Sequence, residues 1–224
     1  MEKSQPSPLS QLLALPFIAG VEGILNRELA TASALRVTLH RPVVQNGRRF
    51  LQQACAYVGA HQGGAGRLFP MDEGVVGASF RARKIYRTRG CASEDELMRA
   101  LDADMRATGD LRAVGDVPRS YLSVPFLQGD GVALVLYADC RELNFFSDDE
   151  RVSRIVAMCE GFCRFLDRVH QSSDLLACYP ATPYKENATG GKACYPTVQE
   201  ELAREPPRFE RAPSFDHDLK HKVL

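Results

Sequence analysis

The stretch Arg119-Ser-Tyr-Leu-Ser-Val-Pro-Phe126, then Gln128-Gly-Asp-Gly131, then Val132-Ala-Leu-Val-Leu-Tyr137 limits the fold more than any other part of the sequence. Two extended runs joined by Gly-Asp-Gly make an antiparallel hairpin, because those turn residues tolerate positive φ. The second run is apolar throughout, as expected of a central strand covered on both faces. Such a strand needs other strands beside it and helices over it.

Helical spacing supplies the helices. Over Pro16 to Ala30, Phe17, Val21, Ile24, Leu25 and Leu29 fall on one stripe, and Pro16 suits a first-turn position. Leu35 to Leu39 and Phe50 to Val58 read as strands with a turn at Asn46-Gly47, and His61 to Gly66 as a glycine-rich loop. Gly74 and Gly77 allow a tight entry into a short helix, with Asp72 and Glu73 near its positive end. Arg83 to Arg89 alternates as a strand should. Ser93 with Glu96 is a capping box ahead of a stripe at Leu97, Met98, Leu101 and Met105. Ser147 with Glu150 is another, opening a long helix striped by Val152, Ile155, Val156, Cys159, Phe162, Cys163, Leu166 and Val169.

Charge narrows the partners. The 28 basic residues balance 28 acidic ones, whereas a protein that grips nucleic acid or an anionic membrane as a whole usually carries a basic excess. No apolar run approaches the roughly 20 residues that cross a bilayer. Leu12 to Ile18 is broken by Pro16 and followed by Glu22 and Arg27, so it does not read as a secretory signal. The 7 cysteines are an odd number, are scattered, and form no Cys-x-x-Cys pair. That suits a reducing cytoplasm and leaves out the usual zinc framework.

In order and local pattern these elements resemble the GAF domain over roughly residues 16 to 169. Gly74-Val-Val-Gly77-Ala looks like the start of that family's short helix, Ser120 to Tyr137 like its central hairpin, and Phe145-Phe-Ser-Asp-Asp-Glu150 like its Phe-Ser-x-x-Asp signature. The resemblance implies an α+β fold, an antiparallel sheet of about six strands flanked by helices, with the N- and C-terminal helices packed together and often joining a homodimer. Residues 16–169 are then the domain, and composition makes residues 1–15 a flexible N-terminus and 170–224 a proline-rich tail, extended or partly disordered. A pocket on the opposite face is implied as well, its candidate residues being Val76, Ser79, Tyr86, Arg87, Arg89, Met98, Met105, Tyr121 and Ser123. No cofactor is indicated beyond an unidentified small molecule. Tyr137-Ala138 stands where the family's cyclic-nucleotide binders carry Asn-Lys, and no Cys-His dipeptide is present for bilin attachment.

The function expected on this resemblance is a non-catalytic signalling or regulatory protein that binds a small molecule, a protein partner or both, and is not an enzyme. Two alternatives stand beside it. One is a dimeric interaction scaffold with a filled pocket. The other is a thiol redox enzyme resembling the family's branch that reduces free methionine sulfoxide. That branch is expected to carry cysteines where this chain has Val75-Val76 and Val117-Pro-Arg119, but Cys91 lies beside Arg87 and Arg89, which would stabilise a thiolate.

Some clusters admit two readings. The cations from Arg81 to Arg89 suit a solvated edge strand or an anion site near a pocket mouth. Cys159 and Cys163 fall in an apolar stripe, which favours packing over metal binding, and His217 with His221 lies in a polar terminal segment. In the tail, Ala177-Cys-Tyr-Pro180 recurs as Ala193-Cys-Tyr-Pro196, so Tyr179, Pro180, Tyr195 and Pro196 are candidates for docking a protein partner or for strapping the tail to its own domain.

Overall fold

The computed structural model describes residues 6, 8–29, 35–59, 64–105, 118–128, 130–171, 197–198 and 209–210. The chain runs α1 (Pro8–Asn26), β1 (Arg36–Gln45), β2 (Arg48–Gln53), β3 (Val58–Gly59), β4 (Leu68–Pro70), α2 (Gly74–Ala82), β5 (Tyr86–Thr88) and α3 (Glu94–Met105). The hairpin β6 (Ser120–Gln128) and β7 (Gly131–Cys140) follows, then a 3₁₀ turn (Phe145–Ser147) and α4 (Asp149–Gln171), with two short strands β8 (Thr197–Val198) and β9 (Phe209–Glu210) in the tail. The sheet order is β4-β2-β1-β7-β6-β5, every pairing antiparallel. This is the expected α+β architecture. β9 extends the edge at β5, while β8 lies beside β6 and β3 beside β1.

The hairpin closes at Gln128 opposite Gly131, and its register shifts between Phe126 and Leu127. The β1–β2 turn has φ of 52° at Asn46 and 72° at Gly47, the pair of positive values that a tight two-residue connection demands.

Residue parity gives the sheet two unlike faces. Val37, Leu39, Leu122, Val124, Phe126, Leu134, Leu136 and Ala138 join α1 and α4 in one apolar core. The expected stripe of α4, from Val152 to Val169, is buried along its whole length. Burying one such side chain contributes about 1.5–3 kcal/mol, so this stripe alone fixes where the last helix lies. Phe17 of α1 stacks on Phe162 of α4 with ring centroids 4.2 Å apart, so the first and last helices pack together as anticipated. The other face lies under α2 and α3 and is polar over much of its area.

Local boundaries moved for identifiable reasons. The first helix starts at Pro8 and runs through Pro16, so residues 8–15 are helical where a flexible N-terminus was expected. Its buried stripe is Ala14, Ile18, Val21 and Leu25, one turn earlier than the stripe read from Phe17 onward. The expected strand from Arg83 shrinks to Tyr86–Thr88, because α2 reaches Ala82 and Arg83 caps it in the left-handed region at φ 58°. At the start of α4 the cap is Asp148, not Ser147: its Oδ1 accepts the Arg151 N–H at 3.0 Å. Ser147 is taken up in the 3₁₀ turn. At α3, Ser93 Oγ accepts the Glu96 N–H at 3.2 Å, as the sequence predicted.

Candidate active site on the polar face of the sheet

On β1, Arg36, Thr38 and His40 alternate with the core residues Val37 and Leu39. Their cross-strand neighbours extend the pattern. Arg36 faces Asp139, and Thr38 faces Tyr137. His40 faces Gln53, while Tyr121 faces Asp139 and Ser123 faces Tyr137. Tyr86 of β5 then faces Ser123. Side chains opposite one another in an antiparallel pair share a face, so these residues form one polar field across four strands and Gln53 of a fifth.

An ion pair anchors the field. Asp139 is 1% exposed and accepts two hydrogen bonds from Arg36, Nε to Oδ1 at 2.8 Å and Nη2 to Oδ2 at 2.7 Å. Burial works against the Arg36 charge, but hydrogen bonding and attraction to Asp139 outweigh it and raise the guanidinium pKa. Arg36 also lies over the Tyr57 ring, 4.8 Å from its centroid. Burial pushes the Tyr57 hydroxyl up to about 12, with the Asp139 charge adding to the effect. The same two causes raise Tyr121 and carry Tyr137 well above the ordinary value. All three phenols are protonated donors at neutral pH. Tyr121 spends its donor on the Pro118 carbonyl at 2.8 Å.

His40 is neutral. Burial, helped by the charge of Arg67, pushes it down to about 3, and its ring packs edge-on against Phe69 and Tyr137. Gln53 donates to the Cys55 carbonyl at 2.8 Å. His40 Nδ1, Gln53 Oε1 and Ser123 Oγ are buried and have no hydrogen-bond partner among the described residues. A buried polar atom without a partner costs about 1–3 kcal/mol, so this face is built to meet a polar guest or ordered water.

Cys91 stands beside this field, between β5 and α3. It is 3% exposed and packs with Tyr86, Met98 and Tyr121, against which Tyr137 and Leu143 also lie. Asn144 fixes its backbone: Asn144 Oδ1 accepts the Cys91 N–H at 3.0 Å, and Nδ2 donates to the Cys91 carbonyl at 2.7 Å. Asn144 itself sits in the left-handed region, φ 59°, which asparagine tolerates better than most residues. The other described cysteines are thiols locked in the core. Burial raises Cys55, Cys140 and Cys163 to about 12 and Cys159 well above its ordinary value. Among the described residues no group of three or more histidine, cysteine or acidic side chains is placed to hold a metal.

The structure therefore gathers Tyr86, Met98 and Tyr121 of the expected pocket around Cys91, and places Ser123 in the same field. Ser79 donates to the Lys84 carbonyl at 2.7 Å, with the Ser123 carbonyl 3.4 Å away. Val76 packs instead with Val135 and Phe80. Met105 ends α3, and its side chain lies outside the described set. Arg87 and Arg89 do not join the pocket. Arg87 is fully buried on the α4 side, where it donates to the Phe146 carbonyl at 3.2 Å and pairs with Asp149. Arg89 lies 3.6 Å from the same carboxylate. Neither a solvated edge nor an anion site describes Arg87; its charge ties β5 to the start of α4. Tyr179, Pro180, Tyr195, Pro196, His217 and His221 lie outside the described residues.

Arg36, Thr38, His40, Gln53, Tyr57, Tyr137, Asp139 and Asn144 escaped the sequence reading. The polar-apolar alternation from Arg36 to His40 was the available signal. Nothing local announces that Asn144 reaches back 53 residues to Cys91.

No family model matches the sequence, and no curated protein matches it. Among solved structures the chain is similar to the type II free methionine-R-sulfoxide reductase of Thermoplasma acidophilum, with 10% identity over 71% of this chain and 96% of that one, TM-score 0.48. It is similar to the reduced form of the Staphylococcus aureus free methionine-R-sulfoxide reductase, with 19% identity over 69% and 92%, TM-score 0.42. It is also similar to residues 122 to 287 of a methyl-accepting chemotaxis protein, with 20% identity over 72% and 98%, TM-score 0.44. At these identities, and with TM-scores below 0.5, the likeness assigns neither a family nor an activity to this chain. The matches nonetheless include reductases, and on that finding the expectation of a non-catalytic regulator that is not an enzyme does not stand. No helix among the described residues is long and apolar enough to cross a membrane.

Proposed function

We propose that the chain is a GAF-family thiol oxidoreductase that reduces a small sulfoxide, free methionine-R-sulfoxide being the first substrate to try, with Cys91 as nucleophile. The observation that carries this reading is the paired grip of Asn144 on the Cys91 backbone beside the polar field. A nucleophile needs a fixed attack position. The remaining described cysteines lie in the apolar core on the other side of the sheet, where burial holds them as thiols, whereas Cys91 packs with Tyr86 and Tyr121 of the polar field.

In the proposed reaction the Cys91 sulfur attacks the sulfoxide sulfur, and the sulfoxide oxygen takes up a proton. The oxygen passes from the substrate sulfur to the Cys91 sulfur as the transient bond between the two sulfurs breaks, so the thioether leaves and Cys91 becomes a sulfenic acid. One thiol of an external dithiol attacks the Cys91 sulfur and releases water. Its second thiol then frees Cys91, and the reductant departs as a disulfide. Tyr137, held protonated, is the donor suited to the sulfoxide oxygen. Because Cys91 is covered, a substrate displaces the packing over it before the thiol attacks.

The test is methionine release from the R and S epimers of methionine sulfoxide with dithiothreitol as reductant. Turnover of the R epimer that disappears in Cys91→Ser is the expected result. No methionine above the protein-free rate ends the proposal.

A further inference from the structure

A groove of about 520 Å³ opens between β2, the segment Pro70 to Asp72 and the last turn of α2. That volume falls within the range of small-molecule sites. None of its lining residues belongs to the cluster around Cys91.

The walls carry two chemistries. Phe50, Pro70 and Phe80 give it an apolar floor, whereas Arg48, Arg49 and Arg81 outnumber the single carboxylate of Asp72. Arg48 opens β2 directly after the tight Asn46-Gly47 turn, and Arg81 is held by the fold. Arg81 Nη1 donates to the Met71 carbonyl at 2.9 Å. That carbonyl is itself fixed against α2, since a Cβ on Gly77 would come within 2.8 Å of it. Arg81 thus presents the rest of its planar fork from a set position, and such a fork suits a carboxylate or sulfonate.

We propose that this groove binds a small amphipathic anion, a carboxylate on an alkyl or aryl body, with the head between Arg48 and Arg81 and the body over Phe50 and Phe80. The apolar floor selects against inorganic anions, and the arginines select against neutral alcohols of the same shape. An added methylene buried on the floor tightens binding roughly 4-fold.

Calorimetric titration of the full chain with butanoate, hexanoate, octanoate, octanol and inorganic phosphate tests this. Octanoate is expected to bind one-to-one, tightening along the carboxylate series, with octanol and phosphate each at least about 10-fold weaker. Arg48→Gln and Arg81→Gln should each weaken octanoate roughly 10-fold at an unchanged unfolding midpoint; should Arg81→Gln lower the midpoint, Arg48→Gln at the hairpin decides. Equal binding of phosphate, which would make the groove a plain anion patch, overturns the proposal, as does wild-type affinity in Arg48→Gln. Cys91→Ser should keep full octanoate binding, so the outcome here is independent of the reductase assay.

Discussion

The amide of Asn144 holds both backbone groups of Cys91, accepting its N–H at 3.0 Å and donating to its carbonyl at 2.7 Å. A pair of hydrogen bonds across 53 residues ties the loop after β5 to the turn before α4. Asn144→Ala removes both and leaves two backbone groups to find water. The expected cost is about 1–3 kcal/mol in denaturant unfolding. If Cys91 is the nucleophile, kcat should fall further than that stability loss explains, because the thiol loses its fixed position. A variant with wild-type kcat would separate Asn144 from the chemistry.

Arg87 and Asp149 give a second prediction. The guanidinium is fully buried while the Asp149 side chain is about half exposed at 51%, so solvent screens the pair from one side. Asp149→Asn leaves Arg87 with its carbonyl partners and should cost about 1–2 kcal/mol. Arg87→Met strips those carbonyls and the carboxylate of their donor, and should cost more, about 3 kcal/mol. Chemical denaturation of the two variants checks the order; a larger loss in Asp149→Asn would be inconsistent with this account.

His40 predicts an acid dependence. Its folded pKa lies near 3, below the ordinary 6.5. Between those values the unfolded chain binds a proton that the folded chain refuses, so stability declines as pH falls from about 6.5 toward 3, with a slope of up to about 1.4 kcal/mol per pH unit. His40→Gln should flatten the decline between pH 6 and 4 in urea titrations. An unchanged slope would mean that other groups govern the acid limb.

The helix pair offers a fourth test. Leu12 on α1 and Phe165 on α4 are large apolar side chains left 62% and 41% exposed. We propose that a second copy covers them, in the homodimer that the GAF resemblance implies. Sedimentation should give twice the chain mass for the native protein, and the single-chain mass for Leu12→Ser with Phe165→Ser at unchanged helix content. A native monomer would dispose of the pairing.

Elements declared by their own period were legible in the sequence. The stripe from Val152 to Val169 and the hairpin from Ser120 to Cys140 lie where spacing and turn residues put them. The helix boundary at Pro8 was hidden, because Pro16 reads as a start when it is tolerated inside a helix packed by Ala14 and Ile18. The site was legible only in part. Tyr86, Tyr121 and Ser123 were among the pocket residues that the family resemblance implies, and strand pairing places them on one face. His40, Gln53 and Asp139 acquire meaning only when β1, β2 and β7 lie side by side, and that adjacency is a property of the topology. Arg87 misled for the same reason: parity gave its side of the sheet, but not that the 3₁₀ turn and Asp149 would close over it.

Because odd and even positions of β1 and β7 serve opposite sides, substitution and frame behave very differently in these strands. Replacing Tyr137 or Thr38 edits the chemistry of one side and leaves the hydrocarbon contacts of Leu136 or Leu39 as they were. Losing one residue from β7 would drive Asp139 into hydrocarbon and turn leucines toward Arg36. New specificities in descendants of this chain can therefore accumulate by point replacement at alternate positions, while changes of length are confined to the turns.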